Sequence, residues 1–462
     1  MKNDKRSFSK LFLILFLSFN SYMILAQDLM ISQDQRFIIK NDGSPFFYLG
    51  DTAWELFHRL DREEADLYLE NRASKGFSVI QAVVLAELDG LQEPNRYGEV
   101  PLINMDPSDP NEKYFTHVDY IVEKAASLGM MVGMLPTWGD KFNLKWGVGP
   151  EVFTSENAYN FGKFLGSRYK DSPIIWILGG DRNPDNEEDL LIIRRMATGI
   201  KEGDGGKHLM TFHPQGGSNS SQWFHKDDWL DFNFFQSGHG PRDAANYEHT
   251  LKNYELDPVK PTMDGEPRYE DHPVNFRPME YGWFNDFDIR QAAYWSMFSG
   301  SCGHTYGNHN IWQMWQEGRH PVSWARTNWR RALDHAGSFQ VGFMKDFFEA
   351  YPWQEMIPDQ QLILNFNPRS GAYQMGMISK SKDILFVYNP CGYPVKVDIS
   401  RLNANTLNVF WFNPRDGVFQ YFETIDKSQS RDFTPHSMGR GSDWVLVVQD
   451  ASKNFNDATK LD

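Results

Sequence analysis

The sequence predicts an α/β fold, a (β/α)8 TIM barrel followed by a small all-β sandwich domain. Two observations carry this. About eight short apolar runs alternate with helix-length segments up to residue 351. Beyond Tyr351-Pro352-Trp353 the pattern changes to short strands divided by turn signals. Continuous apolar strands separated by helices indicate a parallel sheet buried on both faces, and eight such units suggest a closed barrel.

Residues 33–45 read as a short hairpin lid turning at Asn41-Asp42-Gly43. The first barrel strand is 46–51, followed by a helix over 62–75 that stops at Gly76. The second strand is 79–87, and the helix over 115–128 again stops at a glycine, Gly129. The third strand is 130–137, and the helix over 155–169 is capped by Thr154 or Ser155. The fourth strand, 174–181, leads to a helix near 187–202. Strands five to eight are 209–213, 232–236, 261–266 and 302–306. Helices over 243–253, 289–298 and 324–344 complete the alternation.

The β-sandwich is expected over 352–450, with strands at 362–366, 372–378, 384–388, 395–399, 407–412, 418–423 and 444–448. Asn389-Pro390 and Asn413-Pro414-Arg415-Asp416-Gly417 are its clearest turns. Residues 451–462 form a polar tail.

The first 26 residues read as an export signal. Lys2, Lys5, Arg6 and Lys10 precede an apolar run over 11–19, and Ala26 fits the residue before a cleavage point. The run is too short for a good membrane span, and no other segment is long and apolar enough. A secreted or periplasmic chain with a catalytic barrel over 27–351 is therefore expected. Cys302 and Cys391 fall in different domains and read as two unpaired, mostly buried thiols. The net charge of -15 argues against nucleic acid or an anionic membrane surface as partner. Aromatics make up 15% of the chain, which suits stacking against sugar rings, although a large core also uses them.

The carboxyl ends of barrel strands form the active site of this fold. Asp181 ends strand four and Glu266 ends strand seven. Two facing carboxyl groups are what hydrolysis of a glycosidic bond requires. Each acid alone is a weak signal, and Asp181 could instead cap the helix that follows. If Asp181 points inward, Ile177 and Gly179 point inward below it, while Trp176 and Leu178 face the outer helices. The same alternation puts Asp264 inward below Glu266, where it reads as a structural partner of an arginine or a backbone N–H. Other strand ends supply polar or aromatic groups for binding hydroxyls and sugar faces: Asp51 and Trp54, Glu87, Trp138 with Asp140, Asn183, His213, Gln236 and His239. The eighth adds His304, Tyr306, Asn308 and Trp312.

Rival chemistries lack their residues. The first strand carries no paired histidines for a metal, no His-x-x-x-His pair with a helical Glu occurs, and no Gly-x-Ser-x-Gly elbow or phosphate-binding glycine loop is present. No metal or organic cofactor is expected. The competing class is a non-catalytic glycan- or matrix-binding protein, which need not keep an intact carboxylate pair.

Three stretches resemble glycoside hydrolase family 140, whose domain is also known as domain of unknown function 4038. They are Tyr48-Leu49-Gly50-Asp51-Thr52-Ala53-Trp54, Trp176-Ile177-Leu178-Gly179-Gly180-Asp181-Arg182-Asn183 and Asp264-Gly265-Glu266-Pro267-Arg268-Tyr269-Glu270. Trp411-Phe412-Asn413-Pro414-Arg415-Asp416-Gly417 and Trp444-Val445-Leu446 resemble a collagen-binding-type β-domain attached to many sugar hydrolases. The resemblance implies apiosidase-like activity on side chains of the pectin rhamnogalacturonan II, with the family's catalytic Asp and Glu at Asp181 and Glu266. It leaves open a glycosidase of different sugar specificity on the same barrel. Retaining barrel hydrolases with these strand positions usually carry Asn-Glu on strand four, whereas this chain has Gly180-Asp181. Asp is one methylene shorter, and the carboxyl separation sets the stereochemistry: ~5 Å for retention, roughly 6.5–9.5 Å for inversion.

Overall fold

The computed structural model describes residues 28–453 and 455. The export segment expected at 1–26 and most of the polar tail lie outside the described residues. Among those described, no helix is long and apolar enough to cross a membrane.

Eight parallel strands form the barrel: β1 (Tyr48–Thr52), β2 (Val79–Leu85), β3 (Met131–Thr137), β4 (Ile174–Gly179), β5 (Met210–His213), β6 (Asn233–Phe235), β7 (Thr262–Asp264) and β8 (Gly303–Tyr306). Their hydrogen-bonded order runs β5-β4-β3-β2-β1-β8-β7-β6. The ring closes where Asp231 N–H donates to Met210 O at 2.9 Å and the Thr211 hydroxyl donates to Phe232 O at 2.7 Å. Every strand is buried along its whole length, which explains the unbroken apolar runs.

The intervening helices are α1 (Arg62–Ser74), α2 (Glu112–Ser127), α3 (Ser155–Arg168), α4 (Glu187–Asp204), α5 (Ser221–Phe224), α6 (Asn246–Tyr254), α7 (Asp286–Phe298) and α8 (Ala336–Glu349). Side chains at the starts satisfy their free N–H groups: Asp61, Thr154 and Asn285 each close a capping box. The single helix expected over 324–344 is broken. Ser323 and Trp324 adopt left-handed backbone, and Asn328 caps a separate turn, Trp329–Ala332, before α8 begins.

The N-terminal hairpin pairs Leu29–Ile31 with Ile38–Lys40, so it turns over 32–37 rather than at Asn41-Asp42-Gly43. It is not a lid over the mouth. Arg36 stacks on Tyr254, which precedes β7, and Phe37 packs edge-on against Trp353. The hairpin therefore covers the amino ends of the strands, opposite the catalytic face.

Beyond the barrel, a six-stranded antiparallel sheet is ordered Met356–Pro358, Met375–Ser379, Ile384–Asn389, Trp444–Asp450, Thr406–Asn413, Val418–Asp426. Val395–Val397 and Arg431–Phe433 form a second, two-stranded sheet. The strand expected at 362–366 is absent. Asp359 caps a tight turn at Gln360–Leu362, and the edge position goes to Met356–Pro358, where the proline costs no interior hydrogen bond.

The large sheet is buried on both faces by strict alternation. Phe386, Tyr388, Val445 and Val447 join the barrel core, while Leu385, Val387, Leu446 and Val448 form a second core under the small sheet. Tyr388 stacks on Tyr294 of α7 at 4.8 Å, and Phe347 of α8 packs on Phe386 and Phe412. Arg290 of α7 pairs with the fully buried Asp443 at 2.8 Å. Cys302 and Cys391 are both buried and unpaired.

Candidate active site

The interior parity of the barrel decides what reaches the mouth. Gln81, Thr305 and Tyr48 meet inside the barrel, the Gln81 amide donating to Thr305 Oγ1 at 2.8 Å. Trp176 faces outward and donates to Asp204 of α4, whereas Ile177 reaches the inward face of β3 at Gly133. The alternation breaks at Gly179, where a Cβ would meet the outward-packed Phe212 ring at 2.5 Å, and the chain turns there before it presents Asp181.

It does so through three successive residues in left-handed backbone: Gly179 at φ 86°, Gly180 at φ 122° and Asp181 at φ 52°. The glycines are needed for space as well. A Cβ on Gly179 would stand 2.6 Å from His213 O, and one on Gly180 would stand 2.8 Å from the Trp138 ring. Asp181 pays the left-handed strain itself, a state that persists where the surroundings fix it.

Asp181 is 21% exposed at the side chain and lines the mouth. Its Oδ2 accepts from the Trp146 indole N–H at 2.9 Å and from Arg182 Nη1 at 3.2 Å. Burial, together with the negative charge of Glu266, pushes its carboxyl above the ordinary carboxylate value. Glu266 lies 3.0 Å from His239 Nε2 through Oε1 and 2.9 Å from His213 Nε2 through Oε2. Burial works to raise it, but the two imidazoles outweigh burial and bring it down to about 2.

His213 joins the two acids. The Asp181 backbone N–H donates to its Nδ1 at 3.2 Å, which leaves the ring proton on Nε2, facing Glu266. The same Nδ1 also lies 3.0 Å from Pro214 O. His213 is fully buried beneath the pair and is not on the pocket wall.

The pocket of about 470 Å³ is lined by Trp54, Glu87, Trp138, Trp146, Gln236, His239, Tyr269, His272, Phe276, His309 and Trp312 besides the two acids. Trp54 and Trp138 stand 5.2 Å apart at the ring centroids and both touch the His213 ring. Trp54 donates to the Tyr269 hydroxyl at 3.1 Å. His272 stacks on His239 at 4.2 Å and meets His309 edge-on at 4.4 Å. Burial holds His272 well below, and His309 down at about 4, so neither carries charge at neutral pH. Among the described residues Glu87 has no close hydrogen-bonding partner, and Arg182 is 4.0 Å away. Burial and the charges of Asp181 and Asp140 push Glu87 up to about 8.

Several expected binding residues are elsewhere, and His213 lies beneath the pocket rather than on its wall. Asp51 points outward and accepts from Arg72 Nε at 2.6 Å and the Tyr68 hydroxyl at 2.7 Å, both on α1. Tyr306 also points outward, donating to Glu270 at 2.6 Å. Asn183 lies behind the wall, where its amide donates to Ser218 and accepts from Gln215 N–H. Asp264 does not point inward below Glu266: it accepts from Ser237 N–H and hydroxyl and from Asn246 of α6. His304 is likewise buried outside the pocket, and Asn308 caps a turn. Asp140 accepts from Val148 and Gly149 N–H and from Lys141, so it shapes a loop. Trp146, Tyr269, His272, Phe276 and His309 were not singled out from the sequence. They sit in loops without periodicity, and only the clustering of aromatics and histidines just after strand ends marked them.

Among the described residues no group of His, Cys, Asp and Glu could hold a metal ion. The arrangement has the parts for acid-assisted displacement at an acetal carbon: one carboxyl that favours its proton, one held ionised, and flat apolar walls.

Residues 32–355 match the family model described as "Apiosidase-like, catalytic domain", and residues 357–449 match "Putative collagen-binding domain of a collagenase". No curated protein matches the chain. A solved structure named "Glycoside hydrolase" is 34% identical, with a TM-score of 0.86 over 93% of this chain and 98% of its own. A glycoside hydrolase family 5 structure from Bacteroides vulgatus ATCC 8482 is 33% identical, with a TM-score of 0.85 over 93% of this chain and 94% of its own. A third, from the same organism, is 16% identical at a TM-score of 0.65 and speaks to the fold alone. The chain belongs to the apiosidase-like catalytic-domain family and is a glycoside hydrolase.

Proposed function

We propose that the protein is an exported glycosidase that removes apiose-containing side chains from rhamnogalacturonan II, with retention at the anomeric carbon. The observation that carries the mechanism is the opposite displacement of two neighbouring carboxyls. Asp181 is pushed up and Glu266 is brought down to about 2, which separates an acid from an ionised nucleophile in one site. Asp181 gives its proton to the glycosidic oxygen as the bond to the leaving sugar breaks. Glu266 attacks the anomeric carbon, forming a glycosyl ester. Asp181, now ionised, takes a proton from water, which attacks the same carbon and frees Glu266.

The walls fit a neutral sugar. Trp54, Trp138 and Trp312 border the pocket, and among the described residues the Trp138 N–H and Gln236 Oε1 have no partner. His213 and His239 orient Glu266. The family match supports the apiose reading, and the basic and then apolar N-terminus supports export.

The test is sugar release from rhamnogalacturonan II oligosaccharides by wild type, Asp181→Asn and Glu266→Gln. Each substitution is expected to lower kcat by at least about 100-fold. Equal release by all three removes the catalytic assignment. Proton NMR of the first-formed product reads the stereochemistry, and the opposite anomer would make Glu266 a base for water instead.

A further inference from the structure

Trp146 stands at the pocket mouth with 41% of its surface exposed, yet it is tightly held. Its N–H donates to Asp181 Oδ2 at 2.9 Å. The Arg182 guanidinium lies 3.8 Å from the ring centroid, and another Arg182 nitrogen donates to Trp146 O. Asp140, fully buried, accepts from Val148 and Gly149 N–H and pins the loop on one side. Glu151 pins the other by accepting from Leu144 N–H at 2.7 Å. Exposure of a large ring on so fixed a loop is a built surface rather than a frayed one.

We propose that Trp146 serves the acid and the leaving group together: its N–H holds Asp181, and its open ring face receives the sugar ring on the leaving side of the scissile bond. This rests on Asp181 being the acid. An acid must reach the glycosidic oxygen, so an exposed ring hydrogen-bonded to its carboxyl also borders the first leaving-side sugar. The C–H face of that sugar packs on the indole as on other aromatic faces.

The groups facing Asp181 are Glu266 after β7, His213 on β5, Glu87 after β2, Arg182 next in the chain and Trp146 from the loop after β3. Trp146 is the uncharged donor among them. Its bond favours the ionised acid, so its removal raises the proton affinity of Asp181 without altering the charge of the site.

The experiment uses Trp146→Phe, which keeps a ring without the N–H, and Trp146→Leu, which keeps neither. The substrates are a rhamnogalacturonan II oligosaccharide and apiosyl fluoride, whose leaving group carries no ring and needs little protonation. Both variants should move the falling high-pH limb of kcat/KM on the oligosaccharide upward. Leu should raise the oligosaccharide KM about fivefold over Phe, the worth of one aromatic contact. The fluoride should show no split between Phe and Leu. An unmoved limb with equal oligosaccharide KM values overturns the proposal, as does the same split on the fluoride. Asp181→Asn separates the two readings. Its kcat/KM, which reads the glycosylation step alone, should be kept far better on the fluoride than on the oligosaccharide, and equal loss of kcat/KM on both refutes Asp181 as acid whatever Trp146 does.

Discussion

His213 Nε2 stands 2.9 Å from Glu266 Oε2 at the floor of the pocket. The contact is bent rather than linear, and His239 supplies the second nitrogen, at Oε1. Both favour the ionised carboxylate against the burial that opposes it.

His213→Phe keeps a ring in place and removes the donor. A hydrogen bond to a charged group is worth about 1.5–3 kcal/mol, or roughly one to two pKa units, and the bent geometry puts this one at the lower end. Glu266 must be ionised to act, so activity is lost as pH falls through its pKa. Raising that pKa from about 2 moves the acid limb of kcat/KM upward by about one unit. A pH–rate profile with an unmoved acid limb would falsify the role given to His213.

Asp51 makes a sharper structural prediction. It is fully buried against Arg72 and Tyr68, on the outer side of β1. Asp51→Asn leaves the Arg72 charge buried without its partner, which costs about 3–5 kcal/mol. The melting temperature should fall by several degrees while KM at low temperature stays at the wild-type value. A raised KM in a fold of unchanged stability would return Asp51 to the substrate site.

That contrast shows where the sequence stops informing. The strands were legible because each is buried on both faces, and Asp181 and Glu266 were legible because a strand that leaves the core must end in something polar. Asp51 and Tyr306 are equally polar and equally near strand ends, but each is one residue out of phase with the inward set. A single-residue parity is invisible until a packed neighbour such as Gln81 fixes which face is inside. Trp146 was illegible for another reason. Its place beside Asp181 comes from Asp140 folding the loop back, a contact between residues of no shared period. The expected helix over 324–344 failed because apolar spacing carried no warning of the left-handed Ser323-Trp324 pair.

The C-terminal domain is built as part of the barrel's outer wall. Asp443 is fully buried and receives Arg290 Nε and Nη2 at 3.0 and 2.8 Å. Asp443→Ala leaves that guanidinium with Asp286 and Gln340 as its remaining partners and should cost about 1–3 kcal/mol. Because aromatic side chains from α7 and α8 continue into the large sheet, calorimetry of the wild type should show one transition, and the variant one transition at lower temperature. Two separated transitions in the wild type would mean that the domains fold independently and that the shared core contributes little.

Glu87 carries the remaining prediction. Burial, Asp181 and Asp140 push it up to about 8, so near neutral pH it is a neutral acid that can donate to a sugar hydroxyl. Above about 8 it loses that proton and adds a negative charge beside Asp181. Affinity for a neutral sugar should therefore fall as pH rises through that value. Glu87→Gln is close in shape to the protonated form and cannot ionise. It should bind the product sugar at pH 6 much as wild type does, and hold that affinity above pH 8 where wild type loses it. Inhibition constants for the product sugar, measured against pH in both proteins, give the comparison. Parallel curves would mean that Glu87 does not titrate in this range or does not touch the sugar.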